Sequence, residues 1–499
     1  MHSQSQSSSK IPSDSQKFLT EIETALGKPY DLHSEIYLGS KVTVVYLASV
    51  VNKNEVEDHL LTALSSPVMA EMISKKLSWN DLIPLISERG RRQRTELAQV
   101  FQDLLAGFVV IHLNGNDNIY SYNAHTTAKR QPTEAQAERS IRAPRITFIE
   151  VLDDNLSIIR DGIKDVNLRV EKVVVGTRSL TDVAIIYLKD IAMPDIIQEV
   201  HQRLNAFEID GILDSGYIEQ LISDNRWSIF PLAQNTERPD KVKAAILEGR
   251  IALLVDGSPQ AVIVPTTVND LYQSPEDYYF GFWFGSFLRF FRILGNNIAV
   301  ALPGLYVALV GVNNSLLPIQ FTLSVAGSRL GVATPLIIEI LIMEVLVEIF
   351  REASLRLPSP ISQTLGVTGG IVLGTAAVQA GIVSSATLLV VVITAIASFA
   401  GPNFGIGFSW RILKFVLIIA AAIFGLFGLV IAGLIVLAHA AMQNSFGVPF
   451  LSPWSPVRFR ALVDTITRRP LWLPQRLQIY QSIDRRRFRD KRKQDDDGE

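Results

Sequence analysis

Residues 42–64 read VTVVYLASVVNKNEVEDHLLTAL, and residues 183–205, which lie 141 positions later, read VAIIYLKDIAMPDIIQEVHQRLN. Each stretch begins with a β-rich run that ends in Tyr-Leu, then turns and continues as an amphipathic helix. Strand and helix patterns that alternate in this way are typical of α/β domains. We therefore predict two related α/β subdomains at 25–130 and 145–280. The alternative is that two short strand–turn–helix units resemble each other by chance.

The segments around these subdomains are polar. Residues 1–16 are rich in Ser and Gln and contain no apolar run, so they are not a secretory signal. We predict a disordered leader over residues 1–24. The connector AHTTAKRQPTEAQAERS (124–140) is also polar, and we assign a linker to residues 131–144.

An apolar block follows the α/β region. The chain has 499 residues, is 48% hydrophobic and 19% charged, and contains no cysteine, which excludes disulfides and thiolate chemistry. We predict an all-α transmembrane bundle over residues 285–450, because a helix needs ~20 apolar residues to cross the hydrocarbon core. The candidate stretches are 297–316, 334–350, 361–402 (long enough for two crossings) and 413–441.

Charge at the two flanks predicts the orientation. The tail from Arg458 to Lys493 carries a net charge of +9, and Arg289 and Arg292 lie just before the first stretch. Since basic flanks stay in the cytoplasm, we place the N-terminal region and the basic tail (451–499) inside. Both ends inside require an even number of crossings: four, with six as the alternative.

Five different short motifs follow one another after the connector. Two of them lie in the α/β region, at 142–160 and 236–240, and three lie in the apolar block: LPGLYVAL (302–309), FREASLRLPSPI (350–361) and AAVQAGIVS (376–384). The residues that carry the first two motifs are Arg142, Pro144, Phe148, Glu150, Asn155 and Arg160, and then Thr236, Glu237, Arg238, Pro239 and Asp240. Together these motifs resemble the GerA family of spore germination receptor A subunits over residues 142–475.

The resemblance implies a function. Members of this family are subunits of nutrient germinant receptors in the inner membrane of the spore. They act with a permease-like B subunit, which binds the nutrient, and with a lipoprotein C subunit. The A subunit is expected to form a homo-oligomer and to contribute to an ion pathway that germinant opens. No cofactor is expected.

We find no enzyme motif in the sequence. It has no phosphate-binding loop, no His-Glu-x-x-His pair and no nucleophile elbow. The Thr-Glu-Arg-Pro-Asp stretch at 236–240 brings two carboxylates close to an arginine. We interpret it as a clamp that joins two elements rather than as an acid–base pair.

Acidic residues inside the apolar run PLIIEILIMEVLVEIF (335–350) are candidates for function. An unpaired acid at the bilayer centre costs about 2.5–3.5 kcal/mol, so these residues should face protein or water. One hypothesis is that Glu339 and Glu344 line a path for cations. The other is ion pairing near the cytoplasmic edge, which we predict for two pairs: Glu348 with Arg351, and Glu352 with Arg356.

Glycines recur every four residues at Gly366, Gly370 and Gly374. Such a stripe of small residues lets two helices approach closely in lipid, so we predict a packing surface. The alternative is a flexible or re-entrant segment.

Two competing functions remain open from the sequence. A secondary transporter would need two halves with matching broken helices, which the bundle does not display. A membrane-anchored enzyme would need a catalytic constellation in residues 25–280, which we do not find. A membrane-anchored signalling protein is a further alternative. The net charge of −2 gives no reason to expect nucleic acid, and the basic run RRRFRDKRK (485–493) is expected to contact membrane lipid.

Overall fold

The chain folds into an N-terminal α/β region and an apolar helical region that follows it. The computed structural model describes residues 10–66, 69, 77–126, 138, 142, 144–356, 374–470, 480 and 482–484. The predicted linker 131–144 and tail 451–499 are therefore described only in part.

A five-stranded antiparallel sheet forms the centre of the first subdomain. Its strands are β1 (Leu32–Tyr37), β2 (Val42–Leu47), β3 (Arg92–Arg94), β4 (Phe108–Leu113) and β5 (Ile119–Asn123). The helices around it are α1 (Ser15–Leu26), α2 (Lys53–Glu55, continued by the π-helical Val56–Leu61 and by Thr62–Leu64), α3 (Trp79–Leu82, continued by the 3-10 turn Ile83–Leu85) and α4 (Leu97–Leu105). The spatial order is β1-β2-β4-β5-β3. β2 and β4 are buried along their whole length because helices cover both faces of the sheet.

The second subdomain repeats this arrangement. Its strands are β6 (Leu168–Val175), β7 (Thr181–Leu188), β8 (Gln234–Thr236), β9 (Ile251–Val255) and β10 (Ala261–Val264). Its helices are α5 (Leu152–Gly162), α6 (Pro194–Asn205), α7 (Ser215–Ile222), α8 (Pro239–Leu247) and α9 (Val268–Tyr272). The order β6-β7-β9-β10-β8 is the same as in the first sheet. The two stretches that are similar in sequence, around β2 and β7, thus occupy the same second position.

Helix α1 corrects the predicted leader. Residues 15–24 are helical, with Asp14 as the N-cap, and Phe18, Ile22 and Leu26 are buried against the first sheet. Their spacing of four residues places them on one helical face. This part of the predicted leader therefore belongs to the first subdomain, and residues 1–9 lie outside the described residues.

The short helix α10 (Glu276–Tyr279) ends the N-terminal region, and the helical region follows it. The longer elements are α11 (Phe282–Tyr306, continued by the π-helical Val307–Val312), α12 (Ile319–Ser328), α13 (Leu336–Arg356), α14 (Ser385–Ser398) and α15 (Phe404–Met442). A 3-10 turn (Asn314–Leu316) precedes α12, and the two-residue strands β11 (Asn444–Ser445) and β12 (Val448–Pro449) and helix α16 (Phe459–Ile466) follow α15. Phe282–Val312 and Phe404–Met442 are long and apolar enough to cross a membrane, and α14 is apolar but shorter.

Helix α15 is a helical hairpin. A straight helix would separate Trp410 from His439 by ~43 Å. The ring of Phe230 nevertheless lies 5.6 Å from the ring of Trp410 and 6.0 Å from that of His439. The reversal occurs at Gly425, whose backbone is non-helical with φ 60° and ψ −143°. The stretch 413–441, predicted as one crossing, therefore consists of parts of two antiparallel helices.

Contacts define the direction of the other helices. We call the end next to the N-terminal region the near end. α11 starts there and finishes at the hairpin turn, where the Asn313 carboxamide accepts a hydrogen bond of 2.8 Å from the Leu426 backbone N–H. α13 and α14 are parallel, since Thr387 contacts Glu339 near their starts and Ser398 contacts Arg351 near their ends. Both run back to the near end, where Glu348 of α13 contacts Arg411 at the start of the hairpin. These two helices point the same way, and a short described helical stretch, 374–379, lies between them in the sequence.

The predicted glycine stripe is described only at its end. Gly366 and Gly370 lie outside the described residues. Gly374 packs against α14, because a Cβ atom added there would lie 3.3 Å from the Leu388 side chain. This close contact is what a packing surface requires at that position.

Candidate functional site at the junction of the two regions

A buried charged cluster joins the N-terminal region to the first turns of α11. Asp277, in α10, is fully buried. Arg289 donates to it from Nε at 3.0 Å, and Arg292 donates from Nη2 at 3.1 Å. The two arginines are three residues apart and therefore project from the same face of α11.

The segment after the hairpin completes this cluster. Asp464, in α16, accepts a hydrogen bond of 3.1 Å from Arg289 and one of 3.0 Å from the Tyr278 hydroxyl. Arg289 is thus shared by carboxylates from two segments that are 187 positions apart in sequence. Two carboxylates and two guanidinium groups make the cluster formally neutral, which is the condition under which buried charges are tolerated.

A hydrogen bond ties the 236–240 motif to α10. Arg238 holds Asp240 with two hydrogen bonds, of 3.0 and 2.6 Å, and the Tyr279 hydroxyl donates to Asp240 at 2.7 Å. Burial alone would raise the pKa of Asp240, but the hydrogen bonds and the charge of Arg238 lower it below its ordinary value. Such a carboxylate stays ionised. The Arg238–Asp240 pair lies within the motif, and the Tyr279 hydroxyl is the group that joins it to α10, so the clamp between two elements stays an interpretation.

Residues of the first motif join the two subdomains. Arg160 of α5 forms a buried pair with Asp31 of the first subdomain, with two hydrogen bonds of 2.7 Å. Asn155 accepts from the Ile149 N–H and donates to its carbonyl, which fixes the chain before α5. Phe148 lies in the core under the second sheet.

The remaining residues of the two motifs are exposed or contact neighbouring segments. Arg142 and Pro144 are exposed, and the Arg142 N–H lies 3.4 Å from the Glu276 carboxylate. The Glu150 carbonyl accepts from the Gly257 N–H, and Glu237 accepts from the Glu138 N–H at 3.1 Å. Thr236 donates to Glu138, and Pro239 begins α8. The motif residues therefore stabilise contacts between segments.

The acids of α13 have cationic partners. Glu339 accepts from Arg329 at 2.8 Å and from Thr387 at 2.9 Å, and the Lys414 ammonium lies 2.5 Å from Glu344. Both carboxylates are buried. In the single chain neither one faces open space, so this geometry does not support the cation path.

The acids at the near end lie beside arginines. Glu348 lies 3.4 Å from Arg351, and Glu352 lies 2.6 Å from Arg356. Glu348 also accepts from Arg411 of α15 at 3.2 Å. This contact links α13 to the hairpin.

Sequence reasoning did not identify Arg329, Arg411 and Lys414 as partners. A signal existed, because a lysine within the apolar stretch 413–441 needs a buried anion. The partner, Glu344, is 70 residues away and was not identified by local spacing.

The charged residues at the junction pair with one another. Within the part of the chain that the structure describes, no group of three or more His, Asp or Glu residues is arranged to hold a metal ion. Charged residues here hold neighbouring segments together. They connect the N-terminal region to the first turns of α11.

Residues 20–478 match the protein family described as "Bacillus/Clostridium GerA spore germination protein". The chain belongs to the GerA family. The resemblance read from the sequence is thereby confirmed, and the match extends through the first subdomain as well.

Individual relatives cover most of the chain. It is 36% identical to Spore germination protein A1 of Bacillus subtilis (strain 168), over 86% of this chain and 87% of that protein. It is 37% identical to Spore germination protein GerLA of Bacillus cereus, over 91% and 92%. Among solved structures, the N-terminal domain of the A subunit of the Bacillus megaterium spore germinant receptor GerK3 matches with 27% identity and a TM-score of 0.39, over 52% of this chain and 98% of that domain.

Proposed function

We propose that this GerA-family chain is a membrane subunit of a nutrient germinant receptor, in which the N-terminal α/β region controls the helical bundle. Family membership supports the biological role. The observation that carries the coupling is the buried cluster of Asp277, Arg289, Arg292 and Asp464. Because the cluster is buried and neutral, moving one segment without the others would leave a charge unpaired.

In this proposal the bundle crosses the inner membrane of the spore, with both termini in the cytoplasm. The hairpin leaves the near end and returns to it, and α13 and α14 run in the same direction. The chain must then return between them, which supports six crossings, the alternative count, rather than four. The basic tail agrees with this orientation.

The ion pathway is proposed to arise in a homo-oligomer. A single chain keeps Glu339 and Glu344 buried and paired. A path lined by these acids would require the packing of α13 against α15 to change on activation. A permease-like B subunit and a lipoprotein C subunit are the proposed partners, and the B subunit is the proposed nutrient-binding component.

The test is deletion of the gene in the source organism. Spores without the chain should lose the response to at least one nutrient, measured as slower release of monovalent cations and a slower fall in optical density. Restoring the gene should return both signals. Release that is unchanged for every nutrient tested would contradict the proposal.

A further inference from the structure

Large apolar side chains are exposed at the near end of the helical region. The first turns of α11 carry Trp283, which is 83% exposed, and Phe287, which is also exposed. In water such a concentration of exposed aromatic residues would be unfavourable, so it marks an interaction surface.

A loop of the N-terminal region lies at the same level. Its Asn225 side chain donates to Gln443, the C-cap of the hairpin, at 3.0 Å. The Ile229 carbonyl accepts from the Ser409 hydroxyl at 2.6 Å, and Ser409 lies in the second turn of the hairpin. Between these anchors, Trp227 is 93% exposed. The loop is therefore held beside both ends of the hairpin with its tryptophan facing outward.

Helix α16 adds a third element at this level. Its buried face includes Asp464, which contacts Arg289 in the second turn of α11. Its exposed face carries Phe459, Val463 and Ile466, and Phe459 is 81% exposed. An amphipathic helix fixed beside the start of a membrane helix has its apolar face at the depth of the lipid headgroups.

We propose that these three elements form an interfacial collar that inserts into the headgroup–acyl boundary of the near leaflet. The collar consists of the first turns of α11, the loop 225–229 and α16. Its occupant is lipid, because the surface continues directly from the apolar helices and is rich in tryptophan, the residue type enriched at membrane interfaces. The second subdomain then binds the membrane itself. This inference rests on the proposed membrane location.

Site-directed spin labelling of the full chain in lipid nanodiscs tests the collar. The chain contains no cysteine, so single-cysteine variants need no further change. Trp227→Cys and Phe459→Cys probe the collar. Ile36→Cys, on the exposed edge strand β1, is the aqueous control, and Leu434→Cys, in the second half of the hairpin, is the lipid control. Each nitroxide is exposed to oxygen, which partitions into lipid, and to a water-soluble nickel complex.

Labels at 227 and 459 should give oxygen-to-nickel accessibility ratios above that at 36 and below that at 434. Ratios equal to that at 36 would overturn the collar, with the membrane location intact if 434 remains lipid-exposed. Shielding from both reagents would mean that protein covers the surface, which also overturns it. A label at 434 that behaves like the one at 36 would overturn the membrane location as well.

Native fluorescence gives a second readout without labels. Lipids with brominated acyl chains should quench the fluorescence of Trp227→Phe less than that of the unchanged chain. Trp79→Phe, in the first subdomain, removes emission that lipid does not quench and should therefore not lower the quenched fraction. Equal quenching of Trp227→Phe and the unchanged chain would contradict the insertion of Trp227.

Discussion

Replacing Asp277 with Asn should lower the free energy of opening at the junction, and the contacts of Asp277 set the expected size of this effect. The substitution keeps the size of the side chain but removes the carboxylate shared by Arg289 and Arg292. Removing one partner of a buried ion pair costs about 3–5 kcal/mol. We expect the lower end of this range, because Arg289 keeps Asp464. About 3 kcal/mol corresponds to a change of about 150-fold in an opening equilibrium.

Hydrogen exchange of the full chain in nanodiscs measures this opening. Amides in α10 and the first turns of α11 should exchange about 10²-fold faster in Asp277→Asn, whereas β4 in the first sheet should be unaffected. The matched control is Glu352→Gln, which breaks a solvent-exposed pair and should change exchange only a few-fold at most. Wild-type protection in Asp277→Asn, or equal effects of the two variants, would refute the argument that this buried cluster constrains the junction.

Two further predictions concern the first subdomain and the hairpin. Burial lowers the pKa of His112 below its ordinary 6.5, so the stability that it contributes is fully present above that pH and is lost as the pH falls through the lower folded value. The protection of β4 amides, measured as the exchange rate relative to the intrinsic rate at the same pH, should therefore fall on acidification, and less so in His112→Gln; an equal fall would contradict this assignment. Gly425→Ala should lower the thermal unfolding temperature, because a Cβ atom would lie 2.0 Å from Asn313 and because φ 60° with ψ −143° costs a residue other than glycine about 1–3 kcal/mol. Gly433→Ala, in the same hairpin with open space around it, is the control and should not lower that temperature.

Local patterns were sufficient where neighbours in sequence are neighbours in space. The strands around Tyr46 and Tyr187, and the clamp between Arg238 and Asp240, depend on spacings that can be read directly. Helix α1 was missed because its polar composition outweighed the regular spacing of Phe18 and Ile22. That spacing, together with Asp14 as a possible N-cap, was the available signal.

Long-range contacts could not be read in this way. The partners Arg289 and Asp464 are separated by the whole helical region, and no local pattern pairs them. The hairpin turn was equally hidden, because Gly425 is one of several glycines in an apolar run that has the length of a single crossing. Only tertiary contacts, such as that between Phe230 and His439, reveal the reversal.

Among the described residues, the second subdomain contacts the helical region at the start of α11, at the start of the hairpin and just after it. Arg289 lies at the start of α11, the Ser409 hydroxyl contacts the Ile229 carbonyl at the start of the hairpin, and the Ser445 hydroxyl accepts from the Thr266 N–H at 3.0 Å just after the hairpin. A single attachment would act as a hinge, but three non-equivalent attachments restrict rotation about any one of them. A signal that shifts the second subdomain should therefore displace α11 and the hairpin together, as packed elements do in rigid-body transitions. Because Lys414 of the hairpin pairs with Glu344 of α13, this displacement should then strain the contact between the hairpin and α13.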